Sequence, residues 1–153
     1  MMTAETATPV PTGVRTGLYA LVQHFYARQM QALDDGRFEE YAATFTEDGT
    51  FQHTPGTEPA RTRPGIVAEL NRFHEKFADD PVRRRHYFNQ LVLDPQPDGS
   101  YRSTVYALIV RIRPGERPEV WPSCVVHDVL VVDGDEVATR SRTVSYDHLP
   151  DAV

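Results

Sequence analysis

Ala32-Leu33-Asp34-Asp35-Gly36-Arg37-Phe38 separates two helical patterns, and the fold follows from reading it as a corner. Before it, Leu18, Leu21, Val22 and Phe25 recur at i, i+3, i+4 and i+7, and Met30 and Leu33 extend that face. Asp34-Asp35-Gly36 is a turn signal. After it, Phe38, Tyr41, Ala42 and Phe45 repeat the helical spacing, with Asp35 placed to cap the new helix. Thr46-Glu47-Asp48-Gly49 closes that helix. Thr50-Phe51-Gln52-His53 is a short strand, stopped by Pro55-Gly56. Pro64 suits the first turn of a third helix, with Ile66, Leu70, Phe73 and Phe77 on one stripe and Asp79-Asp80-Pro81 at its end.

From Arg83 onward the texture changes. Strands are expected from Arg84 to Leu93, Tyr101 to Arg113, Val120 to Val132 and Val137 to Tyr146, separated by Pro/Gly/Asp turns. Asp133-Gly134-Asp135 is a tight hairpin signal. The order α-α-β-α-β-β-β-β, with short links between the last strands, makes an antiparallel meander whose one face three helices must cover. That is an α+β layer architecture. One domain is expected over residues 14–148, with tails at 1–13 and 149–153.

The chain has 153 residues, enough for one domain with its own core. A formal net charge of −6 argues against a nucleic-acid binder, which needs a basic face to displace counterions. Cys124 is the one cysteine, so no intrachain disulfide or cysteine-based zinc site can form; in mid-strand it reads as a small buried hydrophobe. The six histidines show no metal-ligand spacing, and no phosphate loop, dinucleotide fingerprint or nucleophile elbow occurs. No metal or cofactor is therefore expected. No apolar run reaches a membrane span, and residues 1–13 lack the order of a signal peptide, so a cytoplasmic protein is expected.

The long amphipathic helix ending at Asp34-Asp35-Gly36-Arg37-Phe38, the stretch Phe45-Thr46-Glu47-Asp48-Gly49-Thr50-Phe51, and four strands opening on Arg85-His86-Tyr87-Phe88-Asn89 together resemble the NTF2-like cone fold in its SnoaL-like branch. The resemblance covers residues 15–147. Its nearest relatives in motif are scytalone dehydratase-like enzymes and the small subunits of ring-hydroxylating dioxygenases. It implies three helices on a strongly bent, mostly antiparallel sheet enclosing a conical pocket. Enzymatic members use that pocket for dehydration, isomerisation or cyclisation of aromatic or polyketide-like molecules, and other members are not catalytic.

His86 is the first candidate for chemistry. An imidazole can both take and give a proton near neutral pH, as eliminations and enolisations require. In the dehydratase-like enzymes a strand histidine does this, and a carboxylate at the corner of the first two helices faces it. Asp34 matches that corner, where it would fix the imidazole tautomer. Strand parity sends His86 inward with Phe88, Gln90 and Val92. Tyr87, Asn89, Leu91 and Leu93 then face outward, and that apolar outer face implies a homodimer formed through it. His53, where the dehydratases carry an aromatic hydroxyl, joins Tyr41, Phe88, Tyr106 and His127 as candidate substrate contacts. The second long strand lacks the second histidine or acid of the dehydratases, which puts a two-histidine mechanism in doubt. Asp128, in an apolar strand, must be at an edge, paired or functional, and pairing with Arg140 or Arg142 on the neighbouring strand is the reading preferred. Arg83-Arg84-Arg85 reads as a solvated strand end or an anion site. Two functions follow: a cofactor-free acid/base enzyme on a small aromatic or polyketide-derived substrate, or a non-catalytic subunit or ligand-binding module.

Overall fold

The computed structural model describes residues 15–150; the expected tail at 1–13 and the last three residues lie outside them. The elements run α1 (Thr16–Asp34), α2 (Phe38–Ala43), β1 (Phe45–Gln52), β2 (Ala60–Arg61), α3 (Thr62–Glu75), β3 (Arg83–Pro95), β4 (Tyr101–Ile112), β5 (Glu119–Asp133) and β6 (Glu136–Tyr146). The six strands form one sheet in the order β2-β1-β6-β5-β4-β3. β3 to β6 make an antiparallel meander, and β1 joins β6 in parallel. Three helices and a mixed sheet give the expected α+β architecture.

α1 buries Val22, Tyr26, Gln29, Met30 and Ala32. The buried stripe is rotated from the purely apolar one, because Tyr26 and Gln29 reach polar partners in the core. At the end of α1 the Arg37 N–H donates to the Ala32 carbonyl and the Gly36 N–H to the Leu33 carbonyl, at 2.9 and 3.1 Å. This pair of bonds is a Schellman closure, and Gly36, at φ +75°, supplies the left-handed residue it requires. Asp35 therefore ends α1 and does not cap α2, whose N-cap is Arg37; its carboxylate instead faces Arg37, Arg83 and Arg85.

Phe45 opens β1 and does not close a helix. β1 bulges between Phe45 and Thr50 where it meets β6. Gly49 fits inside that bulge because a Cβ there would stand 3.0 Å from the Phe45 Cβ. The short strand expected at 50–53 is the last half of this longer one.

β3 departs from simple alternation. Asn89 pairs with Tyr106 and Val92 with Thr104, so two residues of β3 oppose Val105. Gln90 takes the extra place in a left-handed conformation, φ 57°. The parity set by Arg84, His86 and Phe88 is reversed beyond it. Leu91 and Leu93 are buried, and Val92 is exposed. The expectation that Gln90 and Val92 face the pocket, and Leu91 and Leu93 the outside, is corrected by this one residue.

The core has two parts. One lies between α1 and the middle of β3, β4 and β5. The other lies between α2, α3 and β1. Phe88 packs against both. Among the described residues no helix is long and apolar enough to cross a membrane.

Candidate active site

A cavity of about 370 Å³ opens between the two cores, at the low end of the ~300–1,000 Å³ usual for small-molecule sites. Asp34, Tyr41, His53, His86 and Phe88 all line it.

Asp34 is the last helical residue of α1, held by the Schellman turn that follows. A carboxylate at a helix C-terminus meets the negative end of the helix dipole, which is unfavourable. Two donors from β3 offset this: the His86 backbone N–H at 3.2 Å to Oδ2, and the His86 Nδ1 at 2.6 Å to Oδ1. β3 is an edge strand, so alternate N–H groups have no neighbouring strand, and Asp34 takes one of them. Both side chains are largely buried, 6% exposed for Asp34 and 19% for His86. An ionised Asp34 accepts Nδ1–H, which leaves Nε2 as the basic nitrogen. Among the described residues Nε2 has no hydrogen-bond partner, and His86 lines the cavity.

A second histidine–carboxylate pair stands on the wall formed by β1 and α3. His53 Nε2 lies 2.8 Å from Glu69 Oε1, and its ring stacks on Phe51 with centroids 5.1 Å apart. Burial pulls the His53 pKa below the usual imidazole value, against the opposing pull of Glu69. Arg72 above all, with His53 behind it, holds the Glu69 carboxyl at about 2.

Beneath the cavity lies a buried polar network. Arg142 donates to both oxygens of Asp128, at 2.9 and 2.7 Å, to the Tyr41 hydroxyl at 2.9 Å and to Gln29 Oε1 at 2.7 Å. Tyr26 donates to Asp128 Oδ2 at 2.7 Å and shares a 2.6 Å bond with Ser103. Of the two arginines open to Asp128, Arg142 is the partner; Arg140 pairs with Asp98. Tyr41 is fully buried, its hydroxyl turned to Arg142. Burial raises the Tyr41 pKa, so the phenol keeps its proton. Cys124 lines the same cavity, buried, its thiol pushed up to about 12 by desolvation.

Two expected contacts are corrected. Tyr106 is 55% exposed on the outer face, because Ser103, Val105, Ala107 and Ile109 are the inward residues of β4. His127 is exposed as well, because Cys124, Val126, Asp128 and Leu130 hold the inward parity of β5. Sequence reasoning missed Glu69, whose signal is only its place on α3; Arg84, read there only as part of a solvated strand end or an anion site, lines the cavity with the parity of His86. Among the described residues no group of three or more His, Cys, Asp or Glu is placed to hold a metal ion.

The cone of helices on a bent sheet, with a polar pair set into its wall, defines an NTF2-like pocket protein. The SnoaL-like domain family matches residues 16–143, and the chain belongs to it. ActVI-ORFA from Streptomyces coelicolor is 48% identical, aligned over 88% of this chain and 100% of its own, with a TM-score of 0.81. A protein from Catenulispora acidiphila, solved in complex with S-DNPA, is 49% identical over 87% of this chain and 96% of its own, at 0.79. Aln2 from another Streptomyces species is 29% identical over 88% and 94%, also at 0.79. No curated protein matches the chain. The family and these neighbours support an enzymatic or ligand-binding role for the pocket.

Proposed function

We propose that this protein is a cofactor-independent acid/base enzyme that dehydrates, isomerises or cyclises an aromatic or polyketide-derived small molecule. The observation that carries the reading is the Asp34–His86 pair, 2.6 Å apart on the lining of the cavity, with Nε2 left without a hydrogen-bond partner among the described residues. His86 removes a proton from a carbon next to a carbonyl through Nε2, and the electron pair passes into an enolate. Asp34 stabilises the imidazolium that results. The same proton then returns, to carbon in an isomerisation or to a departing hydroxyl in a dehydration, and leaves the imidazole neutral. Phe88, Phe51 and Phe73 supply apolar surface for a ring, and His53, its Nε2 held by Glu69, completes that wall. The bound S-DNPA of the Catenulispora protein supports small-molecule occupancy of this pocket.

The test is hydrogen–deuterium exchange at the α-carbons of a panel of aryl ketones in deuterium oxide, with wild type and His86→Gln. Exchange should be enzyme-dependent and fall by about 10²–10⁴-fold in the variant, while ketone binding persists. Equal exchange rates in the two proteins would leave only the ligand-binding role.

The outer face of the sheet exposes Tyr87, Tyr106, Leu108 and Val120, neighbours across β3, β4 and β5. An apolar patch shared by three strands fits a second copy of the chain, so a homodimer through this face is part of the proposal. Light scattering should give twice the monomer mass for wild type and the monomer mass for Leu108→Asp.

A further inference from the structure

Every N–H hydrogen of Arg142 but one is spent inside the protein. Nε and one Nη2 hydrogen go to Asp128, the other Nη2 hydrogen goes to Gln29, and one Nη1 hydrogen goes to the Tyr41 hydroxyl at 2.9 Å. The second Nη1 hydrogen has no acceptor among the described residues. The Tyr41 hydroxyl is in the same position: it accepts from Arg142, and its own hydrogen goes to no described acceptor.

Two donor hydrogens therefore stand spare on neighbouring atoms, and both residues line the cavity. Tyr41 and Arg142 are 0% and 3% exposed, so bulk water does not satisfy them. Buried polar hydrogens are nearly always bonded, because leaving them unpaired costs free energy. Asp128 cancels the charge of Arg142, so the two donors offer hydrogen bonds without a net positive charge. That suits a neutral oxygen with two lone pairs, a carbonyl, better than an anion. The donors are also held in place. The Tyr41 ring packs against Phe45 and Phe51, with centroids 5.3 and 5.7 Å away. The Arg142 guanidinium lies 5.4 Å from the ring centroid of Phe88, the next inward residue after His86 on β3. Proton acceptor and oxygen donors thus lie along one side of the cone.

We infer that Tyr41, backed by Arg142, is a further catalytic group: its hydroxyl and the spare Nη1–H donate to the substrate's carbonyl oxygen and hold the negative charge that gathers there when His86 takes the α-proton. The inference rests on the acid/base reading for the reaction. Recognition of a carbonyl stands on the two donors alone. The α C–H bond breaks, its proton goes to His86 Nε2, its electron pair forms the C–C double bond, and the carbonyl π pair settles on oxygen. Tyr41 keeps its own proton throughout, since burial disfavours the phenolate. Return of the proton to carbon restores the carbonyl. Hydrogen bonds to that oxygen strengthen as its charge grows, so the contact lowers the barrier more than it tightens ground-state binding.

The test uses 2-acetylnaphthalene and 2-isopropenylnaphthalene, which carries a methylene where the ketone has its oxygen. Both are titrated by fluorescence into wild type, Tyr41→Phe and His86→Gln. Wild type should prefer the ketone by about 3–10-fold, the net effect of one or two hydrogen bonds. Tyr41→Phe should lose most of that preference and keep its affinity for the hydrocarbon, which also reports an intact pocket. His86→Gln should keep the preference whole. The infrared carbonyl stretch of the bound ketone should lie lower in wild type than in Tyr41→Phe. Deuterium exchange at the ketone's α-carbon should slow by about 10²–10³-fold in Tyr41→Phe, while ketone affinity changes by no more than about tenfold. Should Tyr41→Phe not fold, 3-fluorotyrosine in place of Tyr41 is a stronger donor of nearly the same shape, and it should lower the stretch further. Equal binding of the two ligands by wild type, an undiminished preference or full exchange in Tyr41→Phe, or a stretch unmoved by the fluorinated ring overturns the inference. Exchange that ignores His86 while the carbonyl preference persists would sink the acid/base reading alone and leave the carbonyl contact standing.

Discussion

The carboxylate of Asp34 grips residue 86 twice, once at its backbone N–H and once at its imidazole Nδ1. The first bond fixes where the strand passes the helix end. The second fixes which ring nitrogen is basic. A fold contact and a tautomer are thereby set by the same side chain, and removing the charge separates the two.

Asp34→Asn keeps the size and the hydrogen-bonding reach of the side chain but can present its amide to Nδ1. The neutral ring should then move its proton to Nε2. Nitrogen-15 NMR of the ring should show Nδ1–H in the wild type and a shift toward Nε2–H in the variant, with turnover lower by about 10²–10⁴-fold. An unchanged tautomer with unchanged turnover would remove Asp34 from the mechanism.

Arg142 and Asp128 are 3% and 1% exposed, so each neutralises a charge that water cannot reach. Asp128→Leu or Arg142→Met alone should destabilise the fold by about 3–5 kcal/mol in urea denaturation. The pair Asp128→Leu with Arg142→Met should cost clearly less than the two single losses added. Strict additivity would show that the two groups do not depend on each other.

Gln90 holds a left-handed backbone that glycine adopts freely. Gln90→Gly should raise stability by about 0.5–1 kcal/mol, and Gln90→Val should lower it by about 1–2 kcal/mol. Deleting residue 90 should abolish a cooperative melt, because Leu91 and Leu93 would turn to solvent. A deletion variant that melts like the wild type would refute the bulge as the device that sets parity.

Glu69 titrates in the folded protein at about 2, below the ~4.3 of an unfolded chain. Between those values the folded state binds fewer protons than the unfolded one. Its stabilisation is therefore complete above the unfolded value and is lost as pH falls toward 2. Glu69→Gln should melt below wild type at pH 7, and the gap in Tm should close as pH drops from about 5 to 2. A gap that stays constant across that range would assign the loss to packing. Asp98, also held near 2, titrates alike in both proteins and cancels from the difference.

The architecture was legible because helical and strand periods differ plainly on either side of Arg83, and turn residues mark each junction of the meander. Asp34 and His86 were named together through the resemblance to the dehydratase-like enzymes, and the two side chains lie 2.6 Å apart. The short-range deviations were not. Nothing in Asn89-Gln90-Leu91 announces a left-handed residue, since glutamine is an ordinary strand occupant there. Phe45 fits a helical stripe as well as a strand start, and only the close approach of Gly49 decides between them. Tyr106 and His127 look like pocket residues because they are polar members of apolar strands, yet parity is set by all the inward neighbours together. Glu69 meets His53 through tertiary packing of α3 against β1, which no local pattern encodes.

The single extra residue at position 90 divides β3 into two independent registers. Upstream positions 84, 86 and 88 carry the polar and aromatic equipment of the cone. Downstream positions 91 and 93 seal it against α1. Because the phase break isolates one set from the other, the upper half of the strand can be rewritten for a different chemistry while the seal below stays in step. The kink thus makes a small fold modular along the length of one edge strand.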